Sequence, residues 1–296
     1  MDVSPGGEKT GLKGLPATLP ELRQFLRENL AAGRREHFGN VRESWTAIAE
    51  DYFWDEKHQN WRLAVLTRHG VQPGQHRVLD LSSGCGQFVL FALQRGYKCE
   101  GLEPGGWRSA FVERKIDLSG YPAEWKASFH QGVGEELPFE SDAFDYVTSF
   151  QTLEHVEDPK RVIAEMVRVT KVGGAIHIMC PDYRSTFEAH YQLPWLPLFP
   201  RRIARSYLRL IGRPVKGLET IRYVTRPRIL SWIAQAETGK SFLVQDEDRV
   251  LFKNGLRKMK VWRLPWVYLR LRAWPVIRDL GRREFSVSLF IRVLSK

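Results

Sequence analysis

Hydrophobic positions along the chain follow a helical spacing before residue 73 and a mixed pattern after it. Within residues 21–72, apolar side chains recur every three or four positions, which predicts two or three helices. Within residues 73–182, short apolar runs that predict strands alternate with helical patterns. Strands and helices in alternation form a largely parallel sheet with right-handed crossovers and with helices on both faces. The sequence therefore predicts a doubly wound α/β core preceded by N-terminal helices.

The alternation stops after Pro181 and resumes near Thr225. Residues 183–224 hold four prolines around one helical pattern, which indicates an inserted segment lying over the sheet, here named the lid segment. The remainder of the core, residues 225–296, is predicted to begin with a helix that has Thr225 as its N-cap. A strand follows, and residues 284–296 alternate well enough to predict a closing edge strand.

Charge changes this picture because it is divided unevenly along the chain. Residues 1–180 hold 21 Lys and Arg against 25 Asp and Glu, whereas residues 181–296 hold 24 against nine. Within the basic part, residues 251–283 carry ten Lys and Arg, one Asp and three Trp, which predicts a basic helical insertion. The asymmetry indicates an anionic partner, which can be a phosphate-bearing substrate, a nucleic acid or a membrane surface. A solvated basic face is the alternative.

The remaining composition indicates a folded cytoplasmic protein. Residues 1–20 are polar and rich in Gly and Pro, so we expect a disordered tail and no secretory leader. No stretch approaches the roughly 20 apolar residues that a membrane span requires. No metal-ligand spacing links the three cysteines, so we expect reduced thiols and predict no metal site. These residues are Cys85, Cys99 and Cys180.

The turn after the first core strand, in the stretch VLDLSSGCGQF (78–88), indicates a cofactor site. Ligands of doubly wound sheets bind where the first strand passes into the first helix. A dinucleotide fingerprint would place a third glycine where Val89 stands, and no P-loop Gly-Lys-Ser/Thr follows. A tight loop at a helix N-terminus suits S-adenosylmethionine, whose carboxylate can meet backbone N–H groups between Ser82 and Gly86. Glu103, which ends the second predicted strand, can accept hydrogen bonds from both ribose hydroxyls.

A wider set of motifs resembles the class I S-adenosylmethionine-dependent methyltransferases. In chain order the set comprises Asp80-x-Ser82-x-Gly84-x-Gly86, Glu103, GEELPF (134–139), FDYVTSFQTLEHVEDP (144–159) and RVTKVGG (168–174). The resemblance implies a Rossmann-like sheet of seven mostly parallel strands. Ser82 stands where the family has glycine, and we expect its backbone φ to remain negative.

The resemblance also implies where the cofactor lies. It places Gly84 and Gly86 beside the methionine moiety, Glu103 at the ribose, and Gly134 with Glu135 at the adenine edge. Apart from the resemblance, Tyr52 and Trp54 in the helices before the core can close over the cofactor, and the alternative is that they belong to the helical core. The full predicted cofactor set is Asp80, Ser82, Gly84, Gly86, Glu103, Pro104, Gly134, Glu135, Gln151 and Tyr52.

Methylation of a hydroxyl needs an aligned acceptor and removal of its proton. The base is expected after the fourth strand, where Glu154 and His155 lie, and a neutral imidazole suits this task at pH 7. The alternative is that this Glu-His pair only braces the following helix. His190, in the lid segment, is a rival candidate because acceptor contacts come from that region in the resembling family.

The acceptor is expected to be a hydroxyl on a glycan, a glycolipid or another small or lipophilic molecule. Trp, Leu and Arg are mixed in the lid segment and in residues 251–283, as in segments that contact an anionic membrane surface. The lid segment also resembles insertions in methyltransferases of bacterial cell-surface glycan and glycolipid clusters. An enzyme in the cytoplasm or at the inner membrane face is therefore predicted. Two alternatives stay open: a nucleic-acid methyltransferase, although the Asn/Asp-Pro-Pro-aromatic stretch is missing, and a non-catalytic binding module.

Overall fold

The computed structural model describes residues 16–39, 43–236, 239–246 and 286–295. Within them, seven strands form one sheet and two short strands form a ribbon in the lid segment. The sheet strands are β1 (Arg77–Leu81), β2 (Lys98–Glu103), β3 (Phe129–Gln131), β4 (Phe144–Phe150), β5 (Thr170–Pro181), β8 (Lys240–Asp246) and β9 (Ser286–Ser295). The ribbon strands are β6 (Phe187–Glu188) and β7 (Leu193–Pro194).

Helices cover both faces of the sheet and form the N-terminal part of the described chain. They are α1 (Leu19–Phe38), α2 (Glu43–Trp54), α3 (Asn60–Arg68), α4 (Gln87–Leu93), α5 (Trp107–Ser119), α6 (Pro159–Val169), α7 (Arg201–Leu210), α8 (Lys216–Thr220) and α9 (Arg226–Ala234). Two 3-10 turns span Glu56–Gln59 and Ala123–Ser128. Side-chain oxygens start three of the helices, since Thr18, Asp158 and Thr225 each accept a backbone N–H of the first turn.

The strand order is β3-β2-β1-β4-β5-β9-β8, and neighbours from β3 to β5 pair in parallel. Both faces of β1 and β4 are buried, as expected for interior strands of a parallel sheet that helices cover on both faces. The doubly wound, mostly parallel seven-stranded fold predicted from the sequence is confirmed. Because β1 and β4 are neighbours whose helices leave toward opposite faces, a crevice is expected at their carboxyl ends.

The prediction of a closing edge strand at the C-terminus was wrong in its position. β9 lies between β5 and β8 and pairs with both in antiparallel fashion, so that β8 forms the edge. The physical reason is that β9 is apolar on both faces. Leu289 and Ile291 belong to the core cluster on one face, and Phe290 belongs to the cluster on the other. An alternating pattern in sequence does not distinguish an edge from an interior strand when both faces are covered.

The predicted disordered tail was also drawn too long. α1 begins at Leu19, and a reciprocal capping box between Thr18 and Glu21 fixes its start. Pro20 in the first turn is compatible with the helix because the first N–H groups need no partner within it. Residues 1–15 and the basic insertion predicted at 251–283 lie outside the described residues.

α1 connects the core with the lid segment. Near its start, Leu22 and Leu26 are buried in a cluster with Phe111 of α5. At its other end, the ring of Phe38 packs edge-on against Tyr191, with centroids 5.1 Å apart. The helix therefore spans the carboxyl-end side of the sheet, where the cofactor is predicted. None of the helices in the described part of the chain is both long and apolar enough to cross a membrane.

Candidate cofactor and acceptor site

The cofactor loop, residues 82–86, joins β1 to α4 through three left-handed residues. Ser82, Gly84 and Gly86 have φ values of 56°, 59° and 71°. A Cβ at Gly86 would lie 2.8 Å from Phe129 Cε1, so the loop and β3 approach too closely for a side chain there. The expectation of a negative φ at Ser82 was wrong. The turn out of β1 needs the left-handed conformation that glycine adopts without strain, and this chain adopts it with a short polar residue.

The carboxylate of Glu103 lies against the cofactor loop. Its Oε2 accepts the backbone N–H of Gly84 at 3.0 Å, and its Oε1 accepts Arg108 Nη1 at 3.3 Å. Burial raises the pKa of Glu103, although the Arg108 guanidinium and the Gly84 N–H favour the charged form. The structure thus brings the glycine loop and the predicted ribose carboxylate into direct contact. Arg108, at the start of α5, was not identified from the sequence.

Asp80 pairs with Arg62 in the structure, and its contact with the cofactor stays a prediction. Its Oδ1 lies 2.5 Å from Arg62 Nη2, and both side chains are almost fully buried. The Arg62 guanidinium lies between the rings of Phe88 and Phe150, 3.8 and 3.9 Å from their centroids. This pair attaches α3 to the end of β1 and so fixes the start of the cofactor loop. The sequence signal for this pair was Arg62 itself, a charged residue among the apolar positions of NWRLAVL (60–66).

The predicted adenine edge is built by backbone. Gly134 is buried, and a Cβ there would lie 3.2 Å from Val162 Cγ2, so the chain passes close to α6. Glu135 Oε1 accepts the N–H groups of Glu157 and Asp158 at 2.9 and 3.2 Å. Glu135 therefore holds the backbone just before α6. Its contact with the adenine stays a prediction.

Two other predicted cofactor residues directly follow the carboxyl ends of β2 and β4. Pro104 follows β2, and its carbonyl accepts Gln131 Nε2 at 3.2 Å. Gln151 has a φ of 54° and donates its backbone N–H to Met179 O at 2.7 Å, which joins the end of β4 to β5.

Tyr52 lies on α2, but its ring packs on that of His58, with centroids 6.2 Å apart. The neighbouring ring of Phe53 is the aromatic group that reaches the cofactor loop. Its Cε1 lies 3.9 Å from a Cβ built on Gly84. Contact of Tyr52 with the cofactor stays a prediction.

The three predicted catalytic side chains meet in one cluster, here named the Glu–His–His cluster: Glu154, His155 and His190. One ligand-type atom from each lies within 4.8 Å of the others, and the two Nε2 atoms face each other at 3.1 Å. His190 Nδ1 is 2.7 Å from Glu188 Oε1, a carboxylate of β6 that sequence reasoning missed. Residues 35 positions apart in the chain meet because the lid segment folds back over the end of β4.

Burial sets the protonation states in the cluster. Burial raises the pKa of Glu154 to about 7. Burial of the ring, with the positive charges of His190 and Arg108 nearby, lowers the pKa of His155 to about 3, although part of the residue reaches solvent. Burial opposes charge on His190 as well, but the hydrogen bond and negative charge of Glu188 outweigh it and raise the pKa of His190. His155 is therefore a neutral imidazole throughout the physiological range.

The cluster and the cofactor cleft share one side of the fold. Arg108, which donates to Glu103, is close enough to act on the pKa of His155. α1 covers the cluster, since Arg34 Nη2 donates to His190 O at 3.3 Å and the Phe38 ring stacks on His190 at 5.4 Å. Cys85 belongs to the cofactor loop, Cys99 to β2 and Cys180 to β5, and all three are buried thiols without a disulfide.

Comparison with known proteins identifies the core. Residues 79–178 match the family model of a methyltransferase domain. An uncharacterized methyltransferase of Mycobacterium leprae is 32% identical over 153 residues, which are 51% of this chain and 54% of that protein. A demethylmenaquinone methyltransferase of Lysinibacillus sphaericus is 28% identical over 193 residues, 60% of this chain and 78% of that protein. The chain thus spans about half the length of the first of these relatives.

Among solved structures, the phosphoethanolamine N-methyltransferase 2 of Haemonchus contortus, in complex with phosphomonomethylethanolamine and S-adenosylhomocysteine, has a TM-score of 0.50 at 16% identity. The match covers 92% of this chain and 60% of that one. At this identity the two proteins share the fold.

Proposed function

We propose, from the premise that residues 79–178 are an S-adenosylmethionine-dependent methyltransferase domain, that this chain methylates a hydroxyl of a small or lipophilic acceptor, such as a glycolipid or glycan. One observation carries the proposal. Arg108 binds the Glu103 carboxylate and acts electrostatically on His155. The predicted ribose site and the predicted proton acceptor therefore lie on the same side of the fold, as transfer from cofactor to acceptor requires.

The residues around the cofactor loop fit the cofactor. S-adenosylmethionine, when bound, supplies a methyl group that its sulfonium already activates. Backbone N–H groups at the start of α4 provide donors for a carboxylate. Glu103 is placed to accept two ribose hydroxyls, in exchange for the N–H of Gly84 that it binds here. Phe53 of α2 would exclude water beside the cofactor loop, and Phe38 of α1 would exclude it beside His190.

The Glu–His–His cluster is the proposed place of acceptor activation. The Nε2 of His155 faces that of His190, so an entering hydroxyl would replace this contact in order to donate a hydrogen bond to the neutral imidazole. Glu188 orients His190 and stabilises positive charge on it, as a buried carboxylate does for a histidine in a catalytic triad. Protons released in the cluster can thus be held at the facing Nε2 atoms. A hydroxyl, rather than an already nucleophilic amine or thiol, is the acceptor that needs this arrangement.

The lid segment favours a partly apolar acceptor. It has its own buried aromatic cluster next to His190, formed by Tyr183, Tyr191, Trp195 and Phe199. Among the relatives are demethylmenaquinone methyltransferases, which by name act on a lipophilic quinone precursor. They favour a second candidate reaction, methylation of a ring carbon beside a hydroxyl, which needs the same deprotonation.

A transfer assay tests the proposal. The full chain is incubated with S-adenosylmethionine carrying a ¹³C methyl group and with extracts of bacterial membranes, and the labelled product is analysed by NMR. We expect a labelled methyl ether, because the cluster activates oxygen. The variants His155→Asn and His190→Asn should lower kcat by roughly 100-fold or more, the usual contribution of acid–base groups. His76→Asn, before β1, is the matched control and should retain activity.

Cofactor affinity in these variants should stay near that of the unmodified chain. A methyl label bound to carbon would support the second candidate reaction. A label found in RNA would contradict the small or lipophilic acceptor and would indicate a nucleic-acid methyltransferase. Absence of any transfer, with cofactor still bound, would support a non-catalytic module and contradict the proposal.

A peripheral membrane contact is proposed for the lid segment. Its surface exposes apolar side chains, with Leu210 85% exposed, next to the arginines of α7. The exposed apolar residues are Leu196, Leu198, Ile203, Leu210 and Ile211. Apolar groups beside Lys and Arg are the combination that binds anionic bilayers reversibly. This surface would place the site next to a lipid-linked acceptor.

Liposome co-sedimentation tests this contact. The chain should pellet with vesicles containing anionic lipid and less with neutral vesicles, and added salt should weaken the association. The double variant Ile203→Asp with Leu210→Asp should reduce pelleting strongly. Leu243→Asp, an exposed apolar position on β8, is the control and should reduce it less. Equal pelleting with neutral lipid, or an equal effect of the control, would contradict the proposal.

A further inference from the structure

We propose that the Glu–His–His cluster binds a divalent first-row transition metal ion. The three ligand-type atoms lie within 4.8 Å of one another, and the two imidazole Nε2 atoms are 3.1 Å apart. Metal–nitrogen and metal–oxygen bonds of about 2.1 Å put adjacent ligand atoms roughly 3 to 3.5 Å apart. The separation of the two nitrogens is therefore one that two ligands of a single ion have, and it is also the separation of an N–H···N hydrogen bond between two imidazoles.

The second observation is the condition of Glu154. This side chain is fully buried, and neither carboxylate oxygen has a hydrogen-bond partner within the described part of the chain. A buried carboxylate is retained when a cation or donors compensate its lost hydration. No Lys or Arg of the described residues forms an ion pair with Glu154, whereas a nitrogen atom of each histidine lies within 4.8 Å of a carboxylate oxygen. A bound cation would compensate the carboxylate and use both nitrogen lone pairs.

The surroundings orient the ligands. Glu188 accepts His190 Nδ1 at 2.7 Å and also the N–H of Tyr191 at 2.6 Å, so it holds the ring with Nε2 directed into the cluster. A carboxylate behind a histidine is the usual support of a metal-binding imidazole. Backbone bonds hold the other two ligands, since Arg222 N donates to Glu154 O at 2.7 Å and His155 N donates to Thr152 O at 2.8 Å.

The donor set indicates the class of metal. Two imidazoles and one carboxylate suit Mn²⁺, Fe²⁺, Co²⁺ or Zn²⁺ better than Ca²⁺ or Mg²⁺, which prefer oxygen ligands. Three protein ligands leave positions open for a substrate oxygen. A hydroxyl bound there would lose its proton more easily, because the cation stabilises the alkoxide. This role rests on the proposed function, whereas binding of the metal does not.

The sequence analysis predicted no metal site because it considered the spacing of cysteines. Glu154 and His155 are adjacent, and His190 follows far along the chain, so no regular motif joins the three. The proposal replaces that prediction. In the absence of a cation, one proton shared between the facing Nε2 atoms would be the competing arrangement.

Cobalt titration of the untagged full chain tests the proposal, after treatment with a chelator. We expect one equivalent of Co²⁺ to bind and to give visible d–d absorption, and Mn²⁺ and Zn²⁺ to compete for it. Glu154→Gln and His190→Asn should abolish the absorption. Glu188→Gln should weaken binding by roughly 10- to 100-fold, as loss of a supporting carboxylate does. His76→Asn is the control and should bind as the unmodified chain does.

Circular dichroism and cofactor calorimetry on each variant show whether the chain is folded. Glu188→Gln keeps the test decisive if a ligand variant does not fold. Absent cobalt absorption in the folded chain, or equal absorption in His190→Asn, would overturn the proposal in favour of the shared proton. Undiminished methyl transfer by metal-free protein would overturn its catalytic role and leave the proposed function standing. Cobalt binding without any methyl transfer would support the metal site and contradict the proposed function.

Discussion

Replacing Glu103 by Gln should weaken S-adenosylmethionine binding by roughly 100-fold or more, because two hydrogen bonds to a charged acceptor contribute about 1.5–3 kcal/mol each. In the structure this carboxylate is almost buried and accepts Gly84 N at 3.0 Å. Gln keeps the shape of the side chain but removes the charge and one acceptor oxygen. Isothermal titration calorimetry on both proteins measures the difference.

Glu100→Gln is the matched control, since Glu100 lies on the same strand and pairs with Arg77 and His130 instead. Its affinity for the cofactor should stay within a few-fold of the unmodified chain. The pH dependence gives a further check. Burial raises the pKa of Glu103, so the affinity should begin to fall at a higher pH than for an ordinary glutamate as the medium is acidified. Equal affinities of Glu103→Gln and Glu100→Gln would remove the ribose assignment.

Replacing Arg62 by Leu should lower the free energy of unfolding by about 3–5 kcal/mol, because it leaves one buried charge without its partner. Arg62 and Asp80 are 5% and 2% exposed, and the guanidinium also lies between two aromatic rings. Urea denaturation followed by circular dichroism measures the loss. Because the pair fixes the start of the cofactor loop, cofactor affinity should fall as well.

The double variant Arg62→Leu with Asp80→Asn separates the charge from the packing. It should recover part of the lost stability, since no unpaired carboxylate remains. The loss of unfolding free energy in Arg62→Leu should depend on pH. Burial raises the pKa of Asp80 in the folded state, so the unpaired charge costs most above that pKa and less as the pH falls and the carboxyl is protonated. A loss that is independent of pH and unrelieved in the double variant would contradict this account.

The central part of the fold could be predicted from the sequence because local and global signals agree there. β1, β2 and β4 are short segments that alternate with helical patterns and are bounded by turn residues, and the cofactor loop follows β1 directly. The contact between Gly84 and Glu103 follows from topology. β1 and β2 are parallel neighbours, so their carboxyl ends meet at one edge of the sheet.

The rest depends on tertiary contacts that local patterns do not contain. The position of β9 is decided by the apolar cover on both of its faces. The left-handed φ of Ser82 is imposed by the close approach of loop and sheet, against the preference of the residue. Arg62 appears in sequence as an interruption of an apolar helix face, and only the fold shows its partner Asp80.

The Glu–His–His cluster shows the same limit at the site itself. Glu154 and His155 were identified from their place after β4, and His190 from its place in the lid segment. That the two histidines face each other at 3.1 Å depends on how the lid segment returns over the sheet. Glu188, which sets the charge on His190, lies on a two-residue strand that no pattern predicts.

A crystal structure of the chain with S-adenosylhomocysteine tests the central claim most directly. The account predicts that the carboxylate of the ligand meets backbone N–H groups of residues 82–86. It also predicts that both ribose hydroxyls lie about 2.5–3.0 Å from the Glu103 carboxylate oxygens. A ligand bound elsewhere, or a ribose held away from Glu103, would contradict it.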